Sequence, residues 1–141
     1  MQGEAIFWPM LLQAGLTYGV YALGSRRRMA AIYAGEAKPG QFKIPGPQNE
    51  PERSATAMRN LDNQFQLPVL FYACCLTLFV LNAAGTAAVL LAWGFALSRL
   101  AHAYVHVTSN RLKFRRPAFI LGFFFQGAMW TLLAWRLAAG G

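Results

Sequence analysis

Charged residues are scarce in this chain. They make up 13% of its 141 residues, only five are acidic, and hydrophobic residues reach 56%. That balance excludes an ordinary soluble domain and places the chain among integral membrane proteins. Cysteine is nearly missing as well. Cys74 and Cys75 are adjacent, and neighbours on a helix diverge by about 100°, so no disulfide framework exists and the pair reads as packing. There are two histidines, His102 and His106. Lying one turn apart on one helix, they cannot take opposite axial positions on one haem, and no nearby carboxylate or cysteine completes a zinc site, so no metal is expected. No Lys or Arg precedes the first apolar run, which argues against a cleavable signal and for a retained helix with its N-terminus outside. Internal repeats and low-complexity tracts are absent.

What remains is apolar sequence in four stretches. Spans are expected at about 5–25, 57–84, 86–107 and 117–137, each near the roughly 20 residues that cross a hydrocarbon layer. Together they predict one all-α membrane domain over 1–141, a four-helix bundle with up-down topology. The first run is interrupted only by Gln13 and Thr17 and is expected to stop at Arg26, Arg27 and Arg28. The second is fed by a polar helix-forming segment from about Ala55, so its helix should protrude on one side. Gly85 and Thr86 suggest a short turn, and Pro117 suits a first helical residue because its missing N–H would be unpaired there. The connection over about 26–56 contains GEAKPGQFKIPGPQNEPE, too rich in proline and glycine for one regular helix. A structured loop capping the bundle is expected instead.

Charge is asymmetric. Seven Lys or Arg residues lie between Arg26 and Arg59, and Arg111, Lys113, Arg115 and Arg116 crowd the connection before the last span, whereas the other side has only Arg136. The positive-inside rule puts both long connections in the cytoplasm and both termini outside. A bacterial inner membrane with periplasmic termini is the expected setting. Topology and contact with anionic lipid account for most of these charges, so a net charge of +8 calls for no nucleic-acid partner.

Ionisable residues inside the third run, AAVLLAWGFALSRLAHAYVHV, are the informative exception, because a charge in hydrocarbon costs roughly 2.5 kcal/mol or more and normally faces a bundle interior or polar cavity. Arg99, His102 and His106 are spaced i, i+3, i+7 and share a helical face. Arg59, Asn63 and Gln66, spaced i, i+4, i+7, predict a second polar stripe on the preceding helix. Two such stripes can converge on one cavity. They suit mutual hydrogen bonding between helices, a metal, or an anion site. The anion reading fits best, since guanidinium forks match carboxylates.

At these residues the chain resembles a family. MRNLDNQFQLPVLFY, followed by SRLAHAYVHVTSNR, is similar to the paired signature of the membrane-associated proteins in eicosanoid and glutathione metabolism, the MAPEG family. The family's R-x-x-x-N-x-x-E maps onto Arg59, Asn63 and Gln66, with glutamine replacing the acid. Arg with His or Tyr one turn on matches Arg99 and His102, and His106 stands where an aromatic is common. The resemblance implies a homotrimer binding glutathione as co-substrate between subunits near the cytoplasmic face. It implies transferase or peroxidase chemistry on a lipophilic small molecule entering from the lipid bilayer. It equally admits a non-catalytic lipid-binding or accessory subunit of a larger membrane complex. Arg115 or Arg116 corresponds to the family's thiolate-stabilising arginine. Arg59 and Arg99 would clamp carboxylates, Asn63, Gln66, His102 and His106 would complete the cofactor-binding set, and Arg28 would reach across from the first helix.

Overall fold

The computed structural model describes residues 3–43 and 50–140. Among these, five α-helices and no strand occur: α1 (Phe7–Tyr33), α2 (Glu52–Gln64), α3 (Leu67–Val80), α4 (Thr86–Val107) and α5 (Leu112–Ala138). Short 3-10 turns lie at Glu4–Ile6 and Pro39–Phe42. Four stretches are long and apolar enough to cross a membrane: Glu4–Tyr33, Glu52–Val80, Thr86–Val107 and Leu112–Ala138.

The helix ends depart from expectation for identifiable reasons. α1 runs through Arg26, Arg27 and Arg28 to Tyr33, because arginine is a good helix former and its long stem carries the charge clear of apolar surroundings. It stops at Gly35, where φ is 73°. Gly35 N–H donates to the Ile32 carbonyl at 3.0 Å and Glu36 N–H to Ala31 at 2.9 Å, a Schellman end that needs the left-handed residue. The connection to α2 is therefore shorter than 26–56, and its residues 44–49 lie outside the described ones. At the other end of the second span, α3 stops at Val80, with Asn82 taking the left-handed position at φ 54° before Gly85 is reached. α5 begins five residues before Pro117, since the basic segment Leu112–Arg116 is itself helical. Pro117 thus sits inside the helix, and the expectation that it opens the helix is corrected.

The second span is broken. Phe65 and Gln66 separate α2 from α3, and Gln66 adopts φ −99°, ψ −104°. Pro68 is the physical cause, for it has no N–H to give the Gln64 carbonyl and its ring crowds the preceding turn.

The principal apolar core joins α3, α4 and α5 through Phe71, Cys74, Cys75, Leu78, Ala92, Phe95, Met129 and Leu133, with Ile6 from the first turn. Phe71 and Phe95 stack at 4.4 Å between centroids. Both thiols are free and fully buried here. α4 and α5 lie antiparallel and close. A Cβ at Gly94 would come within 2.5 Å of the Phe125 ring, and one at Gly122 within 2.8 Å of Ser98 Oγ.

A second seam, between α1, α2 and α4, sets a polar relay beside the apolar Val20, Leu61 and Ala103. Gln13 Nε2 donates to Gln64 Oε1 at 2.8 Å, Gln64 Nε2 donates to Asn60 Oδ1 at 2.7 Å, and Asn60 Nδ2 donates to the Ala103 carbonyl at 3.0 Å. All three amides are buried. In such surroundings each bond avoids an unmet polar group, so the relay fixes the register of three helices. Nearby, Arg27 donates to the Val107 carbonyl at 2.7 Å and the Arg53 carbonyl at 2.9 Å, placing a cation on the C-terminus of α4.

Candidate functional site

At the end of the bundle that carries the basic connections, α2, α4 and the first turns of α5 enclose a cleft of about 270 Å³. Asn63, His102, Leu112, Arg115, Arg116 and Phe119 line it. α5 supplies two arginines because it starts at Leu112, which puts both on its opening turns. α4 supplies His102 from its buried face.

Arg99 lies behind this wall, one turn earlier on α4, and is 0% exposed. Its Nη2 donates to the Asn63 carbonyl at 2.9 Å, and its guanidinium stands 5.6 Å from the centroid of the Phe119 ring. The break in the second span explains the first contact. In an unbroken helix the Leu67 N–H would serve the Asn63 carbonyl, and that carbonyl instead receives Arg99. The remaining donors, Nε and Nη1, have no partner among the described residues. Nδ1 of His102 and of His106 are likewise buried without partners, and the two rings are 5.5 Å apart. A buried charge with unfilled donors is costly, and such donors call for a water, an ion or a further polar partner.

The expected residues are thus not all together. Asn63, His102, Arg115 and Arg116 share the cleft, with Arg99 directly behind and His106 one turn further along α4. Arg59 and Gln66 are exposed on the outside of the chain. The expectation of one stripe through Arg59, Asn63 and Gln66 fails at Gln66, because the break before Leu67 removes the helical phase that would align it. Arg28 turns towards the connection, donating to both carboxylate oxygens of Glu50 at 2.7 and 3.0 Å and packing 5.1 Å from the centroid of Phe42. That hydrogen-bonded pair holds the Glu50 carboxyl below its ordinary range, overcoming the upward push of burial.

Arg115 and Arg116 differ. Nη1 of Arg115 donates to Asn110 Oδ1, and Asn110 adopts φ 50° just after α4. Arg116 is exposed and lines both the polar cleft and a neighbouring apolar groove of about 590 Å³ along α5, formed with Leu112, Lys113, Pro117, Ile120, Leu121 and Phe124. The buried Asn60, Gln64 and Gln126 were missed in the sequence. Asn60 and Gln64 carry the same i, i+4 signal as Arg59 and Asn63, shifted by one residue.

Fold and site define a class: a helical membrane protein with an arginine-lined cleft at one end of its bundle. The model of the MAPEG family matches residues 5–135, and the chain belongs to that family. It is accordingly a membrane protein of the family of glutathione and eicosanoid metabolism. No curated protein and no solved structure matches the chain.

Proposed function

We propose that this protein is a glutathione-dependent transferase or peroxidase that holds the thiolate of glutathione for attack on a lipophilic electrophile or hydroperoxide. The observation that carries the reading is Arg99, fully buried with Nε and Nη1 unpartnered, directly behind a cleft bearing two further arginines. Glutathione brings two carboxylates and a thiol that is only a few per cent ionised at neutral pH. Lowering its pKa by about two units takes roughly 2.7 kcal/mol of differential stabilisation, within reach of one guanidinium in a partly dry site.

Arg116 is the better candidate for the thiolate, because it borders both the polar cleft and the apolar groove by which a lipophilic partner would arrive. Arg115, tied to Asn110, shapes the cleft. Arg99 and Arg59 serve carboxylates, and Asn63, Gln66, His102 and His106 orient the peptide. The exposure of Arg59 and Gln66 on the outside of one chain suits a site completed by a neighbouring copy in a homotrimer. By the positive-inside rule, the basic connections support a cytoplasmic cleft on an up-down bundle with periplasmic termini in a bacterial inner membrane.

A non-catalytic lipid-binding or accessory role is the alternative. It is favoured by Gln66, an exposed amide where the family signature has an acid. The deciding experiment is stopped-flow ultraviolet absorbance of thiolate on detergent-purified protein mixed with glutathione, beside Arg115→Ala/Arg116→Ala. A signal that saturates with glutathione and is lost in the variant supports catalysis. Its absence in a folded trimer favours the accessory role.

A further inference from the structure

A second surface lies on another side of α4. Between α1 and α4 an apolar groove of about 570 Å³ runs from Leu11 past Gly15 and Gly19 to Leu23, with Tyr104 and Val107 on its far wall. A Cβ at Gly15 or Gly19 would meet nothing within 4 Å, so the groove is open there. From Leu11 to Leu23 the helix rises about 18 Å, close to one leaflet of a hydrocarbon layer about 30 Å thick.

At its Leu23 end the groove passes into basic ground. Leu23 also lines a cleft of about 430 Å³ with Arg26, Arg27 and Arg53, and Val107 lines a neighbouring one with Arg27, Arg53 and Thr108. Arg27 is fixed at this junction by its bonds to the Val107 and Arg53 carbonyls, and the Arg53 guanidinium lies within electrostatic reach of it. Glu36 and Glu52 border the two clefts, so three guanidinium groups face two carboxylates and one positive charge is left unbalanced. A leaflet-long apolar trough ending in such a rim complements an amphiphile with one negative charge.

We infer that this surface holds an anionic phospholipid of the leaflet on the basic side, with one acyl chain in the α1/α4 groove and the phosphodiester among Arg26, Arg27 and Arg53. Guanidinium forks match phosphate oxygens, and an anion between Arg27 and Arg53 relieves their mutual repulsion. A second copy of the chain is the rival occupant. The groove residues of α4 centre about 120° around that helix from Arg99, His102 and His106, so a neighbour completing the cleft is directed elsewhere. A further copy in the same orientation would bring its own basic end to the same depth, where eleven Lys or Arg residues, between Arg26 and Asp62 and between Arg111 and Arg116, outnumber four acids.

The test is native mass spectrometry of the delipidated, detergent-solubilised protein given equimolar palmitoyl-oleoyl phosphatidylglycerol and phosphatidylethanolamine, with folding checked by circular dichroism. Phosphatidylglycerol is expected to bind in about fivefold excess or more. Arg26→Gln/Arg53→Gln, which leaves the Arg53 carbonyl to hold Arg27, is expected to remove most of that preference. Gly15→Leu/Gly19→Leu, whose side chains enter the open groove, is expected to weaken phosphatidylglycerol binding by about fivefold or more with the oligomer mass unchanged. Equal binding of the two lipids by the parent, or an undiminished preference in the folded arginine variant, overturns the inference. So does a glycine variant that binds lipid as before or that falls to a smaller oligomer, the latter by showing the groove to be a contact between copies.

Discussion

Arg99 Nη2 donates to the Asn63 carbonyl at 2.9 Å, at the turn where Pro68 interrupts the second span. One side chain therefore closes a gap in a helix and keeps two further donors, Nε and Nη1, buried without a partner among the described residues. Arg99→Met separates the roles. Apolar replacement of an unpaired buried charge is often neutral or stabilising, while the orphaned carbonyl costs about 1–3 kcal/mol. The variant is expected to fold, with its melting temperature by circular dichroism within several degrees of the parent. Its glutathione affinity should fall about tenfold or more, one charged hydrogen bond's worth. Unchanged affinity in a folded variant would remove Arg99 from the site.

Single substitutions distinguish the paired arginines. Arg116→Ala is expected to abolish the thiolate absorbance of bound glutathione. Arg115→Ala should lower the apparent affinity and keep part of the signal, because its guanidinium is engaged by Asn110. The reverse ranking would reassign the thiolate to Arg115.

The amide relay should be costly to cut in the middle. Gln64→Leu strands Gln13 Nε2 and Asn60 Oδ1, each a buried group left without its partner, at about 1–3 kcal/mol apiece. Gln13→Leu/Gln64→Leu leaves one fewer orphan and is expected to be more stable than Gln64→Leu alone. Thermal melts in one detergent would show the order, and a double variant weaker than the single would contradict the relay.

Glu50 makes stability depend on acid. Its carboxyl titrates below the ordinary range because Arg28 hydrogen-bonds the ionised form. The stabilisation is complete above the unfolded value and is lost as pH falls through the lowered folded one. Glu50→Gln should flatten that acidic limb in melting temperature against pH, and the limb should persist if other groups dominate it.

The sequence announces the four apolar runs because bilayer thickness demands length and hydropathy, and both are local properties. Arg99 and His102 are legible for the same reason, as local violations of that demand. The Arg59 stripe is not, because helical phase is a relation between residues and one proline between Gln66 and Phe71 resets it. Asn60 and Gln64 escape notice because an amide in a mixed segment reads as surface, and only packing against Gln13 and the Ala103 carbonyl shows it to be core. Helix ends depart from the expected positions where the left-handed Gly35 ends α1 beyond its arginines and where α5 starts at Leu112, ahead of Pro117.

Gly94 and Gly122 stand where α5 presses on α4. Gly94→Leu would drive side chain into the Phe125 ring and should cost about 1–3 kcal/mol, read as a lower melting temperature. A smaller intrusion has a subtler effect. Since Gly122 faces Ser98 and the Arg99 side chain, the clearance between the two helices also sets the span from His102 to Arg116 at the rim. Under the proposed function the bundle is a caliper whose jaws would close on an anion at one end and whose setting screw is a missing methyl group within the membrane-length part of the helices, so drift in the apolar sequence would retune selectivity without touching a polar residue.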